Sequence, residues 1–222
     1  MRFLPLLIFT LVLSACGQYE VKNLVKSDVD LVADEFIEET RASVRLLLVK
    51  LYKRNPGELR KNPGMTIEGR LAQLKVATGV LIFPELGGKR GIDAMNLAFD
   101  PSFRGDRVFA LVVGLGGMLR VAYAYKNEMF MFDSLEPDVL RASARNVEVL
   151  LWKLKNTRKP NGEHYLVTHE YKGVVDNLSF ERLFGKIIIL QEMMARIAGD
   201  SDDRAVTGAV RAVSKVFIPL PI

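Results

Sequence analysis

The stretch VFALVVGLGGML, residues 108–119, decides the fold, because it is the most apolar part of the chain beyond the N-terminus. It places 12 residues between Arg107 and Arg120, whereas a transmembrane helix needs about 20. A span continued to Tyr125 would place Arg120 in the bilayer at a cost of about 2.5–3.5 kcal/mol. Apolar runs of this length are typical of helices buried in a protein core. We therefore expect residues 106–126 to form a buried helix at the centre of the fold.

Three glycines, Gly114, Gly116 and Gly117, lie within this run. Because glycine has no side chain, the backbone of a neighbouring element can approach closely at such positions. They do not form a dinucleotide-binding fingerprint, since G-x-G-x-x-G would require glycine at position 119, which is Leu119. We expect the helix at residues 136–154 to pack against the 108–119 helix, since its Trp152 and the pair Leu150-Leu151 need a large apolar partner.

Apolar residues elsewhere recur at three- and four-residue steps, which is the pattern of amphipathic helices. Ser27, with Asp30 three residues later, predicts the start of the first of them. The sequence thus predicts one mainly α-helical domain over residues 27–222, with about six helices and minor extended segments. The predicted helices cover residues 29–51, 66–76, 106–126, 136–154, 180–198 and 204–216, with one further helical turn at 58–62.

Four segments between these helices are predicted to be non-helical. TGVLIFP, residues 78–84, indicates a buried strand, although a short apolar run also fits a helix. HYLVTH, residues 164–169, is strand-like, and residues 173–177 indicate a turn. The acidic residues 200–203 predict a solvated loop between the last two helices, with Ser201 or Asp202 as an N-cap, because they lack the pattern of a calcium loop.

The N-terminus has the order of a secretory signal peptide. Arg2 supplies one positive charge, residues 3–13 are almost wholly apolar, and the small residues Ser14 and Ala15 follow. Cys16, the only cysteine of the chain, comes next. A single cysteine permits no disulfide within the chain, so the fold must be held by its own core.

Leu13-Ser14-Ala15-Cys16 resembles the lipobox of bacterial lipoproteins. The resemblance implies that residues 1–15 are a cleaved signal peptide, that Cys16 carries lipid on its thiol and its new amine, and that residues 16–26 form a lipidated tether. The alternative is that Cys16 is a small buried hydrophobe in an unprocessed helix. Gly17, where lipoproteins of the inner membrane carry Asp, implies the periplasmic face of the outer membrane rather than the inner membrane.

AQLKVATGVLIFPELG, residues 72–87, resembles the opening of the lipid-binding SYLF domain, in which an apolar V-L-x-F-P segment precedes a glycine-rich stretch. That family continues in strands, whereas helix-like sequence follows in this chain. No lipid-binding residue is therefore carried over from the family.

The charges of the chain are interspersed rather than clustered. It holds 31 basic and 26 acidic residues, a net charge of +5, and we expect no nucleic-acid partner. The densest basic cluster, residues 153–159, lies at the end of a predicted helix, where cations complement the helix dipole. A phosphate-binding patch is the alternative interpretation, and contact with anionic lipid headgroups stays open.

The sequence offers no catalytic or metal-binding constellation, so we expect a protein that is not an enzyme and has no cofactor. His164 and His169 are five residues apart, which puts them on opposite faces of a strand and apart on a helix. Ser134 lacks the context of a hydrolase nucleophile, because Phe132 rather than glycine precedes Asp133, and we expect Ser134 to cap a turn. No second cysteine exists for a zinc site.

These observations predict a membrane-anchored lipoprotein of the bacterial cell envelope, with membrane lipid as a partner through Cys16. Its helical domain would bind a protein partner or support an envelope complex. The alternative is a carrier or sensor of apolar ligands such as lipids. Its pocket would lie among the glycine-bearing helix and the methionines, which are Met118, Met129, Met131, Met193 and Met194.

Overall fold

The computed structural model describes residues 26–217 except 78, 131–132, 172–173 and 176, and it describes only the backbone of residues 170, 171, 175 and 201–217. The lipobox, Cys16 and the rest of the tether up to residue 25 lie outside the described residues. Within them the fold is mainly α-helical, as predicted. The helices are α1 (Asp28–Arg54), α2 (Pro56–Leu59), α3 (Ile67–Val76), α4 (Gly91–Leu97), α5 (Arg107–Ala122), α6 (Pro137–Asn156) and α7 (Ser179–Phe217).

Minor elements connect these helices. A 3₁₀ turn covers Pro84–Leu86, and a two-stranded antiparallel hairpin pairs β1 (Glu170–Tyr171) with β2 (Val174–Val175). Across the described part of the chain, each helix falls short of the length and apolar character needed to cross a bilayer.

The predicted buried helix is confirmed as α5, which lies at the centre of the core. Residues 108–113 and Leu115 are fully buried. Asp106 fixes the start of the helix, because its Oδ1 accepts a hydrogen bond from the Phe109 N–H at 3.0 Å. A carboxylate at this position satisfies a free N–H and complements the helix dipole. The apolar run therefore becomes a core helix with a defined first turn.

The first helix begins where the sequence predicts. The N–H of Asp30 donates to Ser27 Oγ at 3.2 Å, and the N–H of Ser27 donates to Asp30 Oδ2 at 2.7 Å. This reciprocal pair is a capping box, which satisfies two backbone donors at once. Asn55 and Pro56 end α1 by making the chain turn into α2.

The glycines of α5 allow a close helix contact, and the helix that lies against Gly114 is α4; the expected neighbour, α6, also contacts α5 but less extensively. A Cβ added to Gly114 would lie 2.3 Å from the backbone nitrogen of Met95. α4 packs on α5, and α6 on α7, more extensively than any other pair of described elements. Our expectation for Trp152 was therefore wrong, since its side chain is 62% exposed. It is two positions from both Leu150 and Leu154, whose face of α6 is the buried one.

Arg107 locks the end of α4 against the start of α5. Its guanidinium donates to the backbone oxygens of Leu97, Ala98, Asp100 and Phe103 at 2.7–3.2 Å. The last carbonyls of a helix have no partner within the helix and need donors of this kind. One buried side chain thus satisfies the end of α4 and the loop that leads back into the core.

Two segments predicted as strands have other structures. Residues 79–83 have no regular structure, and Leu81 is buried among the helices while Ile82 is half exposed. In 164–169 only His164 forms a single bridge, to Arg158, and the short hairpin follows after it. A strand gains its stability from a paired neighbour, and the surrounding helices offer neither segment a long partner strand.

The predicted loop at 200–203 is also wrong, because α7 runs through it as one helix from Ser179 to Phe217. This segment contains no proline, and Asp and Ser cost a helix only a few tenths of a kcal/mol each. Gly199, at about 1 kcal/mol, is likewise tolerated. The two predicted last helices are therefore a single element.

Candidate ligand-binding groove

A groove of about 740 Å³ lies between α1, the end of α3 and the second half of α5. Its volume falls within the range of about 300–1,000 Å³ that is typical of small-molecule sites. The floor is apolar and is formed by Val44, Leu74, Leu81, Gly116 and Leu119.

Gly116 keeps the middle of this floor open. A Cβ at this position would lie 3.4 Å from Leu81 Cδ1 and 3.7 Å from Val44 Cγ1. A larger side chain would therefore extend over both neighbours. This glycine, unlike Gly114, meets side chains rather than backbone, so its small size serves the groove and not a helix contact.

The rim of the groove is charged and mainly basic. Its acidic residues are already engaged, since Glu38 pairs with Arg45 at 2.6 Å and Glu128 pairs with Lys26 at 3.3 Å. The lining residues with charge are five bases, Arg41, Arg45, Lys75, Arg120 and Lys126, and two acids, Glu38 and Glu128.

Arg41 and Arg120 are held in place by neutral acceptors. Arg41 Nη2 donates to the backbone oxygen of Lys126 at 2.9 Å and to Asn127 Oδ1 at 2.7 Å. Arg120 donates to the backbone oxygens of Gly79 at 3.0 Å and Leu74 at 3.3 Å. These acceptors fix the two guanidinium groups but do not neutralise them. Arginine keeps its charge in proteins, so two fixed positive charges stand over an apolar floor.

Burial acts on both arginines, and a neighbouring positive charge acts on Arg120 in addition. Burial lowers the pKa of Arg120, and the positive charge of Arg41 lowers it further. Burial likewise lowers the pKa of Arg41, partly offset by the nearby carboxylate of Glu38. Each shift means that the surroundings disfavour the charged form. A bound anion would relieve this cost.

A strained turn borders the groove directly after α5. Ala124 and Tyr125 both have positive φ, at 50° and 59°, which non-glycine residues adopt at a cost of order 1–3 kcal/mol each. The N–H of Tyr125 donates to the backbone oxygen of Arg120 at 2.7 Å. This tight turn sets the path of Lys126 and Asn127, whose acceptors hold Arg41. Local strain of this kind concentrates at functional sites.

A buried polar network supports the groove from behind. Gln191 Nε2 donates to Thr40 Oγ1 and to the Tyr123 hydroxyl, both at 3.3 Å, and Gln191 Oε1 accepts from Ser143 Oγ at 3.1 Å. Burial raises the pKa of Tyr123 to about 12, so its phenol stays neutral. The network joins α1, α6 and α7 to Tyr123, the residue that follows α5, and gives the groove a fixed inner wall.

A second buried polar cluster, centred on Arg70, lies outside the groove and has a structural role. Arg70 makes a bidentate pair with Glu85 at 2.6 and 2.8 Å and donates to Asp106 Oδ2 at 3.2 Å. The Tyr52 hydroxyl donates to the same oxygen at 2.7 Å, and Arg70 lies 3.8 Å from the centre of the Phe109 ring. Burial raises the pKa of Asp106. The cluster ties α1 and α3 to the start of α5.

The two histidines lie closer together than we expected. Their ring centroids are 6.2 Å apart, because the chain between them is not a strand. His169 Nδ1 lies 3.1 Å from Thr168 Oγ1 and 4.0 Å from Glu181 Oε1. In the described part of the chain, no group of three His, Cys, Asp or Glu side chains is placed to hold a metal ion.

The other candidate residues have ordinary structural positions. Ser134 is exposed, and Asp133 closes the turn instead by accepting from the Phe130 N–H at 3.1 Å. Lys153 and Lys155 lie in the last turn of α6, as the helix-dipole interpretation predicts. Met118, Met129 and Met194 are buried in the core, while Met131 lies outside the described residues. The groove lining contains none of the described methionines.

Sequence reasoning missed the groove residues because they come from separate helices. Arg41 and Arg120 each look like an ordinary charge on a helix, and no motif or spacing connects them. The one available signal was Gly116, which the sequence placed on the glycine-bearing helix. Comparison of the chain with family models, with curated proteins and with solved structures found no match.

Proposed function

We propose that this chain is a lipid-anchored protein of the bacterial cell envelope whose helical domain carries or senses an apolar ligand. The observation that supports ligand binding is the groove, with its apolar floor and fixed polar rim. Apolar sites with a few convergent polar groups are the usual form of small-molecule sites. Of our two expectations, this geometry favours the carrier or sensor.

A second candidate function, the protein-interaction module, is favoured by the exposure of Trp152. Together with Val149 and Ile188 it lines an open surface cavity of about 800 Å³, and exposed tryptophan is enriched at protein interfaces. Its charged neighbours pair with described residues, as Arg145 does with Glu148 at 2.7 Å. Because fixed, unneutralised charges are found at the groove and not at this cavity, we place ligand binding first.

Filling the groove floor should abolish ligand binding. In the unlipidated chain that starts at Gln18, we expect native mass spectrometry to detect a co-purified lipid or fatty acid. Gly116→Leu should reduce its occupancy at least tenfold, because the new side chain lies over Leu81 and Val44.

The matched control is Gly185→Leu, the same substitution at an exposed site of α7 where an added Cβ meets nothing within 4 Å. It should retain the ligand. Equal occupancy in the two variants would refute the groove as the binding site, and the Trp152 surface would then become the first candidate.

The proposed anchor depends on Cys16. The Cys16→Ser chain should keep its signal peptide and take up no clickable fatty acid, because serine has no thiol for the lipid. Gel mobility and in-cell labelling measure the two effects. One acyl chain gives only marginal membrane binding, whereas several make release negligible. A variant that is still labelled and still partitions into detergent would disprove lipidation at this residue.

A further inference from the structure

The groove holds two cationic side chains without anionic partners among the described residues. Arg41 and Arg120 donate only to backbone and amide oxygens there. The nearest competing acid, Glu38, is engaged by Arg45 at 2.6 Å. Arginine has five N–H donors. Arg41 makes two hydrogen bonds to described residues, and Arg120 also makes two. Both side chains therefore retain capacity to bind an anion.

Structural capping alone does not account for this arrangement. A neutral donor could satisfy the carbonyls of Leu74 and Gly79 without placing a charge beside the charge of Arg41. Half-buried cations without a counter-ion cost free energy, and the positive charge of Arg41 adds to this cost at Arg120. A charge-assisted hydrogen bond to an anion is about twice as strong as a neutral one. The two arginines at the rim thus lack a counter-charge, and an anionic group of a ligand would supply it.

Charge and size together define the ligand. The floor beside the two arginines is formed by Val44, Leu81 and Leu119 and offers only apolar contact. A volume of about 740 Å³ suits a drug-sized molecule, and therefore one acyl chain rather than a two-chain membrane lipid.

We propose that the groove binds a single-chain amphiphile with an anionic head, which lies between Arg41 and Arg120 while its chain lies along Val44, Leu81 and Leu119. This inference rests on the proposed function, because it names the chemistry of the ligand in the same groove. A free carboxylate amphiphile is the simplest member of this class.

The test uses the full chain in phosphatidylcholine nanodiscs and two photoreactive probes of equal length, dodecanoate and dodecanol, each with a diazirine at its chain end. Mass spectrometry locates the labelled residues, and titration gives the probe concentration at half-maximal labelling of the groove. We expect dodecanoate to label α1 and α5 at a concentration at least tenfold lower than dodecanol does.

Two variants decide whether the arginines cause this preference, independently of how each probe partitions into the bilayer. Arg41→Gln and Arg120→Gln should each raise the half-maximal concentration of dodecanoate about tenfold, which corresponds to one charged hydrogen bond. Neither variant should change the half-maximal concentration of dodecanol by more than about twofold. Arg120→Lys keeps the charge and should retain most of the preference. Arg145→Gln removes an exposed charge elsewhere, on α6, and should have no effect.

The outcomes separate the two proposals. If both probes label the groove equally, and the variants label as the original chain does, the proposal of an anionic head is wrong. The proposal that the groove binds an apolar ligand would then still stand. Labelling of the groove by neither probe would overturn both. If Arg120→Gln fails to fold, Arg41→Gln and the comparison of the two probes on the unmodified chain still decide the question.

Discussion

Gly114→Ala will destabilise the domain by about 3 kcal/mol or more, which is the largest effect we expect from one added methyl group. The new Cβ would lie 2.3 Å from the nitrogen and 2.6 Å from the Cα of Met95. These are backbone atoms, so no side-chain rotation relieves the overlap. α4 must instead move away from α5 by roughly an ångström, which loosens the most buried part of the core. Overpacking typically costs about 1–3 kcal/mol and occasionally more, and we expect the upper end because backbone must move here.

The measurement is urea unfolding followed by far-UV circular dichroism, and the chain itself supplies the control. In Gly116→Ala the nearest atom is a side-chain carbon of Leu81 at 3.4 Å, an ordinary contact. That variant should be as stable as the original or more stable by up to about 1 kcal/mol, because alanine favours a helix over glycine. Equal stabilities for the two variants would contradict the α4–α5 contact.

Arg70→Met will destabilise the domain by about 3–5 kcal/mol near neutral pH. Methionine replaces much of the volume of the fully buried arginine but leaves Asp106 buried without its cation. Removing one partner of a buried ion pair costs this much because the remaining charge is uncompensated. Glu85 suffers less, since its side chain is 31% exposed.

The pH dependence of this loss has a definite sign. Burial raises the pKa of Asp106 above its ordinary value of 3.8, and removal of the arginine raises it further. The Asp106 carboxyl then binds a proton more tightly in the folded chain than in the unfolded chain. The stability of the variant therefore falls as the pH rises from 3.8, the ordinary pKa, through the raised pKa of the folded chain. Unfolding curves should show a smaller deficit near pH 4 than near pH 7.

The double variant Arg70→Met/Asp106→Asn is the control. The introduced asparagine would remove the stranded charge and keep one side-chain oxygen for the N–H of Phe109, while its amide N–H would donate to the Tyr52 hydroxyl in place of the second carboxylate oxygen. It should recover a substantial part of the lost stability at neutral pH. A deficit that is the same at both pH values, or no recovery in the double variant, would count against a buried charge as its cause.

Local patterns predicted those parts of the fold that depend on a few neighbouring residues. The apolar run at 108–119 predicted a buried helix, and Ser27 with Asp30 predicted where α1 begins. The glycines of α5 predicted a close backbone approach. The physical causes are burial, capping and the absence of a Cβ. Each of them can be recognised from residues within one or two helical turns.

The remaining features depend on which elements meet, and periodicity carries no information about that. The same glycines did not show that α4 would approach them most closely and that α6 would contact α5 less extensively. Residues 78–84 have strand-forming side chains, but the helices around them provide no partner strand. Arg41 and Arg120 both line the groove although they are 79 positions apart in the sequence. Only the packing of the helices brings them together.

The buried amide of Gln191 has a consequence for the alignment of the helices. The buried faces of α1, α6 and α7 are largely apolar, and apolar contacts are not directional, so they specify the alignment of the helices only weakly. Sliding or rotating α7 by one residue would carry the Gln191 amide away from Thr40, Tyr123 and Ser143 and leave its nitrogen and oxygen unpaired in the core. Each unpaired group costs about 1–3 kcal/mol. The apolar side chains thus stabilise the bundle. The buried amide of Gln191 favours the one alignment of the helices in which its hydrogen bonds can form.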